Sequence, residues 1–321
     1  MATGECGGIV RDSGIADLTQ RVRMGTRGSA LALWQTRRIG EAVSALSNAG
    51  RIEEVIIRTH GDRESFVPLP DIGGQGVFTA ELERALLEGG IDLAVHSLKD
   101  LPLASRPGLR IAAVCFREDV RDVLVTRAGW TLTELPADAV VGTSSARREA
   151  QLRALRPDVR VRSIRGNVET RIAKVDAGEF DAAVLAAAGV LRLGLEQRIS
   201  EWLPLDTFLP APGQGALAVQ CRDDDSVMID LLEQLDDANA RACTDAERAF
   251  LGALGGGCSL PVAAFAECAE AGTMTLRGYV GSPRDGRAVR LEGHGPLTAA
   301  RDLGHQLAHR ARELGAMALL A

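Results

Sequence analysis

RVRMGTRGSALALWQTRRIGEAVSAL, residues 21–46, holds a strand, a short polar turn and a helix in one run. RVRMGT (21–26) reads as the strand. The apolar residues of SALALWQTRRIGEAVSAL (29–46) recur at helical spacing, and Ser29 stands where an N-cap hydroxyl belongs. The unit then repeats. IEEVIIR (52–58) is a second strand, FTAELERALLEG (78–89) a helix ending at Gly89, and DLAVHS (92–97) an apolar strand of the buried kind. After the strands RIAAVCF (110–116) and DVLVT (122–126), the strand AVVGTSS (139–145) runs into the helix ARREAQLRALR (146–156). VRVRSI (159–164), NVETRIAKVDAG (167–178) and DAAVLAA (181–187) continue as strand, helix, strand. Such alternation predicts parallel sheets covered by helices on both faces. Two echoes, GTRGSA (25–30) with GTSSAR (142–147) and GGIDLAV (89–95) with GEFDAAV (178–184), point to two related α/β domains holding a ligand between them, near the strands' carboxyl ends. Beyond the Pro/Gly-rich FLPAPGQGALAVQCR (208–222), helices near 226–236 and 239–254, strands at 261–266, 273–281 and 287–292 and a helix at 297–315 form a smaller α+β domain.

A chain of 321 residues with 46% hydrophobic and 25% charged residues has the composition of a soluble protein of two or three domains. No apolar run reaches the roughly 18 residues of a membrane span. Residues 1–20 lack the basic and apolar regions of a signal peptide and are expected to be a floppy extension. The six cysteines include no CxxC pair and the five histidines are scattered, so neither a zinc site nor a disulfide framework is expected, and the chain reads as cytoplasmic and reduced. A net charge of −6 argues against a nucleic-acid or membrane-surface binder. The charge is unevenly placed. Between Arg147 and Arg171 there are eight arginines against three acids, Glu149, Asp158 and Glu169. Arginine's planar fork suits carboxylates and phosphates, so an acidic protein with this segment is suited to a small polyanion.

Three places carry chemistry. The turns after RVRMGT and AVVGTSS expose backbone N–H groups at helix starts, beside Arg27, Arg147 and Arg148; they serve equally as anion sites or as capped helix starts. HSLKDLP (96–102) follows a buried strand, placing Lys99 and Asp100 at its carboxyl end. Asp100 there is open to stabilising a cation, relaying a proton or capping a turn. His96 reads as a structural hydrogen bonder. Cys258 follows Gly255-Gly256-Gly257 in a loop with permissive backbone, as a reactive or modified thiol requires, whereas Cys115 and Cys221 lie on apolar strands.

GTRGSALALWQ (25–35), THGD (59–62), AVHSLKDLP (94–102), VGTSSARR (141–148), IRGNVETR (164–171), GVLRLG (189–194), LPAPGQGALAVQCR (209–222) and GGGCSLPV (255–262) together closely resemble the hydroxymethylbilane synthase, or porphobilinogen deaminase, family of tetrapyrrole biosynthesis. They run in the family's order and cover about residues 21–321. The resemblance implies two periplasmic-binding-protein-like α/β domains flanking a cleft, 21–116 with 213–235 and 117–212, and a small α+β domain, 236–321. It implies a dipyrromethane cofactor attached through a thioether to Cys258. Four porphobilinogen molecules are deaminated and added head to tail, and hydrolysis then frees 1-hydroxymethylbilane. By motif match Asp100 is the catalytic carboxylate, stabilising the azafulvenium cation left by loss of ammonia. Lys99, Ser145, Arg147 and Arg148 hold the cofactor's acid groups; Arg27, Ser29, Arg165, Arg171 and Arg192 hold substrate and growing chain. Phe78 matches the mobile segment near the site. Many relatives carry lysines where this chain has Asp71 and Gln75. The resemblance implies no metal, nucleotide, nucleic acid or membrane partner, and a monomer. Two other readings compete: a non-enzymatic binder of anionic solutes, which has no use for a covalent pyrrole at Cys258, and RNA binding through Arg147–Arg171, disfavoured by an aromatic share of 3%.

Overall fold

The computed structural model describes residues 21–46, 51–59, 79–257 and 259–320. The strands β1 (Val22–Thr26), β2 (Ile52–Ile56) and β3 (Leu93–Ser97) run parallel with β1 in the middle; β10 (Leu217–Arg222) pairs antiparallel with β3, and β4 (Leu109–Cys115) antiparallel with β10. The second sheet has the same plan. β6 (Val140–Gly142) lies between and parallel to β7 (Arg160–Arg162) and β8 (Ala182–Ala186), β5 (Asp122–Thr126) pairs antiparallel with β8, and β9 (Glu201–Trp202) flanks β5.

The expectation of parallel sheets is therefore corrected: both are mixed. The cause is the route between them. The chain leaves the first sheet at Cys115 and enters the second at Asp122, which pairs with Ala186 at the carboxyl end of β8. It returns from Trp202 to Leu217, which pairs with Ser97 at the carboxyl end of β3. Each crossover joins one carboxyl edge to the other without a covering helix, so the strand it enters must run against its neighbour.

The sequence echoes have structural counterparts. Asp92 is the fourth residue of one echo; its amide donates to the Arg23 carbonyl and its carboxylate accepts from the Arg23 amide at 2.8 Å. Asp181, 89 residues on, does the same with Val140, accepting from its amide at 2.7 Å. Gly25, next to last in β1, and Gly142, last in the equivalent β6, stand where a Cβ would press on Ile91, at 2.3 Å, or on Ile164 and Phe180, at 3.0 Å. The helices α1 (Ala30–Leu46), α2 (Ala80–Leu87), α3 (Ala146–Leu155) and α4 (Val168–Asp176) lie where the sequence places them. The six-residue α5 (Ala187–Arg192) and the two-residue β9 are too short for a period to signal them.

After α6 (Ser226–Glu233), the chain forms an antiparallel meander of β11 (Val262–Cys268), β12 (Thr273–Gly281) and β13 (Ala288–Pro296), packed on α7 (Ala238–Ala253) and α8 (Ala300–Glu313). Its core is Ala246, Phe250, Leu276, Val280, Leu307 and Ala311. One carboxylate ties this unit to the crossovers. Glu247 of α7 is fully buried and accepts from Arg117 Nη2 at 2.6 Å, the Gly213 amide at 2.7 Å and the Ala266 amide at 2.8 Å. Arg117 and Gly213 belong to different crossovers. Glu247→Ala leaves a nearly buried guanidinium and two amides without their acceptor, and should cost about 3 kcal/mol or more of unfolding free energy, measured by urea denaturation.

Candidate active site

The carboxyl edges of the two sheets meet between the crossovers, and their turns supply the polar groups. At the first edge, β3 ends in a single 3₁₀ turn, Leu98–Asp100. Leu98 is buried and anchors the turn, Lys99 is half-buried, and Asp100 is exposed. At the second, Ser145 caps α3 through its Oγ, which accepts from the Arg148 amide. The first turn of that helix thus points Arg147 and Arg148 inward, and both are buried.

These two arginines meet at Asp122, the first residue of β5, itself fully buried. Arg147 Nη1 donates to Asp122 Oδ2 at 2.6 Å and to the Leu209 carbonyl at 2.7 Å. Arg148 Nη2 donates to Asp122 Oδ1 at 2.7 Å, and its Nη1 to the Val184 carbonyl at 2.8 Å. Gln214 Nε2 donates to Asp122 Oδ1 at 2.9 Å, while Gln214 Oε1 accepts from Lys99 Nζ at 3.2 Å. A continuous polar chain thus runs from Lys99 of the first sheet through Gln214 to the arginine pair of the second. Burial alone would raise the Asp122 pKa, but the two guanidiniums hold it well below the usual carboxylate range.

The cluster is short of negative charge. Among the described residues, Lys99, Arg147, Arg148, Arg165 and Arg171 share one field with the carboxylates Asp100 and Asp122. Burial pushes Lys99 down to about 8 against the pull of Asp100, and burial with the charge of Arg148 pushes Arg171 down to about 10. Arg147 Nε, Arg148 Nε and Arg165 Nη1 are buried with no hydrogen-bond partner among the described residues. Unpartnered donors on charged groups are costly, and a cluster with this surplus of positive charge suits an anionic ligand.

The other expected residues are distributed as follows. Ser29 caps α1, its Oγ accepting from the Ala32 amide at 3.3 Å. Arg27 lies near His96, and its charge adds to burial in pushing that imidazole down to about 4, so His96 is neutral and structural. Arg171 Nε donates to the Gly166 carbonyl at 2.9 Å. Arg192 is set apart from the cluster: its Nη2 donates to the Phe116 and Gly215 carbonyls at 3.0 and 2.6 Å, one on each crossover, and its guanidinium lies 5.6 Å from the Trp34 ring centroid. Gly255, Gly256 and Gly257 take φ values of 108°, 57° and 139°, a left-handed run that only glycine adopts readily. Cys258 itself, like Phe78, Asp71, Gln75 and residues 60–62, lies outside the described residues. Asp122, Gln214 and Glu247 were not singled out in the sequence; an aspartate opening the otherwise apolar DVLVT was the one available signal. A separate cavity of about 900 Å³, lined by Arg23, Asp92, Arg222 and Asp225 among others, lies at the amino ends of β1 and β3, and those four residues already form ion pairs with one another.

Asp122→Asn should lower stability by about 3–5 kcal/mol at neutral pH, since two buried guanidiniums lose their counter-charge. The folded pKa lies below that of an unfolded aspartate, so the contribution is present above about pH 4 and is lost as pH falls through the acidic range. Urea midpoints of wild type and variant should differ by a constant amount from about pH 5 upward and converge below about pH 4.

Comparison with known proteins matches the same regions. Residues 22–230 fit the family model described as "Porphobilinogen deaminase, dipyromethane cofactor binding domain", and residues 241–313 the "Porphobilinogen deaminase, C-terminal domain". The porphobilinogen deaminase of Syntrophus aciditrophicus is 46% identical over 299 residues, 93% of this chain and 97% of its own. That of Xanthomonas campestris pv. campestris (strain B100) is 48% identical over 300 residues, 94% and 98% of the two chains. Among solved structures, the Bordetella pertussis BvgS periplasmic VFT2 domain matches 69% of this chain and 88% of its own at 14% identity and a TM-score of 0.39, which adds nothing to the strand orders above. With both of its domain models matched in order, and relatives aligned over nearly their whole lengths, the chain belongs to the porphobilinogen deaminase family.

Proposed function

We propose that this chain is a hydroxymethylbilane synthase, a transferase that deaminates porphobilinogen, joins four units head to tail on a covalent dipyrromethane and releases 1-hydroxymethylbilane by hydrolysis, with four molecules of ammonia lost. The observation that carries the reading is the row of buried, unpartnered arginine donors, Arg147 Nε, Arg148 Nε and Arg165 Nη1, beside Asp100 at the meeting of two carboxyl edges. Substrate and product are polycarboxylates, since every pyrrole bears an acetate and a propionate, and such donors fit them. The dipyrromethane, held through Cys258, supplies the pyrrole end from which the chain grows.

This chain's own residues divide the work. Arg147 and Arg148, with Lys99 and Ser145, hold the cofactor's acid groups; Asp122 fixes the two guanidiniums in place, and their buried Nε–H groups have no partner among the described residues. Arg165 and Arg171, with Arg27 and Ser29, hold the incoming substrate and the growing chain. Among the described residues Asp100 forms no ion pair, so its carboxylate is available to face the positive charge that develops on a pyrrole nitrogen as ammonia leaves. Arg192 adds its charge from the end of α5, where it is bonded to both crossovers. The reading divides the chain into 21–116 with 213–235, 117–212 and 236–321, and takes it as a cytoplasmic monomer. Among the described residues no helix is long and apolar enough to cross a membrane.

Intact mass under denaturing conditions tests attachment. The wild-type chain should carry the mass of two pyrrole units, and Cys258→Ser should lack it and be inactive. An unmodified wild-type chain that binds porphobilinogen without turning it over would instead make this a solute binder. Asp100→Asn keeps shape and hydrogen bonding but loses the charge; it should retain the cofactor mass and lose about a hundred- to a thousandfold in single-turnover rate, with Asp100→Glu less impaired. Near-wild-type turnover by Asp100→Asn would move the catalytic role to another group.

A further inference from the structure

Two thiols outside the cleft face each other across the third unit. Cys243 is buried on α7, Cys268 is the exposed last residue of β11, and their sulfurs lie 3.5 Å apart. The contact is in register with the junction described above. Glu247, one turn along α7 from Cys243, accepts from the amide of Ala266, two residues before Cys268 on β11. Residues four apart on a helix share a face, as do residues two apart on a strand. The carboxylate–amide bond and the thiol pair are thus successive rungs between the same two elements, and the first holds the second in position.

The two cysteines are 25 residues apart in the chain, and between them lie the rest of α7, the glycine loop with Cys258 and nearly all of β11. The thiols sit at the end of this helix–strand pair away from that loop. We propose that Cys243 and Cys268 form a reversible disulfide site, oxidised by a low-molecular-weight disulfide such as glutathione disulfide, that staples α7 to β11 around the segment bearing Cys258. A disulfide bond is about 2.0 Å long, so small torsional changes at the two side chains close the gap.

The exchange follows from exposure. The Cys268 thiolate attacks one sulfur of glutathione disulfide and expels one glutathione thiolate. The Cys243 thiol then gives up its proton and attacks Cys268 Sγ, expelling the second. The protein loses two hydrogens, and one glutathione disulfide becomes two glutathione thiols. Burial and the adjacent sulfur push the Cys243 thiol up to about 12, which makes the second step the slower one. Cys115 and Cys221 are buried on β4 and β10, pushed up to about 12 and about 11 by burial, and do not compete.

The thiol chemistry is independent of what the cleft binds, and its test needs no substrate. The full chain as purified is reduced, incubated with glutathione disulfide, alkylated under denaturing conditions and mapped by peptide mass, with Cys268→Ser as the parallel variant. The expected result is a peptide pair joined through Cys243 and Cys268, reversed by dithiothreitol, with an apparent Tm raised by about 5 °C. Cys268→Ser, altered at an exposed position, should form no joined pair and show no rise. Full alkylation of both thiols, glutathione persisting on Cys268 without a joined pair, or a joined pair with no change in Tm would each overturn the proposal.

Discussion

Asp122 is the constraint on which the cleft depends. A buried carboxylate is tolerated only when its charge and lone pairs are met, and here two guanidiniums and an amide meet them. The arrangement needs Asp122 at the carboxyl edge of β8, where α3 begins. Only a strand entering the second sheet from that edge puts its first residue there. The crossover from Cys115 to Asp122, the antiparallel run of β5 and the inward turn of Arg147 and Arg148 are therefore parts of one solution. One carboxylate serves two arginines, so the pair stays fixed while the cluster keeps a surplus of positive charge. That surplus is what a polycarboxylate requires.

The same economy governs the crossovers. Gly215, at a φ of 87°, passes so close to the other crossover that a Cβ would lie 2.3 Å from the Glu118 carbonyl oxygen, and its own carbonyl accepts from the Glu118 amide at 3.1 Å and from Arg192 Nη2. Glu247 joins both segments to the third unit. Among the described residues the two sheets are linked by this narrow pair of segments, held by charged hydrogen bonds and by the packing of Val120, Leu205 and Leu209 against Ala263, Phe265 and Tyr279. On the other side of the cleft, Arg248 of α7 donates to the Leu101 and Pro102 carbonyls at 3.2 and 2.7 Å, so the turn carrying Lys99 and Asp100 is also braced from the third unit. Cleft wall, crossovers and third unit are thereby mechanically connected at α7.

Much of the plan was legible in the residues. Strand and helix periods located nearly all of the elements, because apolar spacing reports which face of a segment is buried. The DLAV and DAAV echoes marked equivalent strands, and their aspartates make the same bond to the neighbouring strand in each sheet. Less was legible about direction. RIAAVCF, DVLVT and ALAVQCR read as buried strands in either sense, since a fully apolar run looks alike whether its neighbours are parallel or not.

Local sequence thus determined the elements, the twofold plan, the turns that carry Lys99, Asp100, Ser145, Arg147 and Arg148, and, through its motif set, the family. Spacing along the chain could not show that Arg147 and Arg148 share the carboxylate of Asp122, that Gln214 links them to Lys99, that Arg192 clasps both crossovers, or that Cys243 lies against Cys268. These partners stand between 23 and 115 residues apart. Side-chain periodicity is a short-range property fixed by helix and strand geometry, whereas the pairing of buried charges and thiols is set by which sheet edges and helix faces come together once the chain has folded.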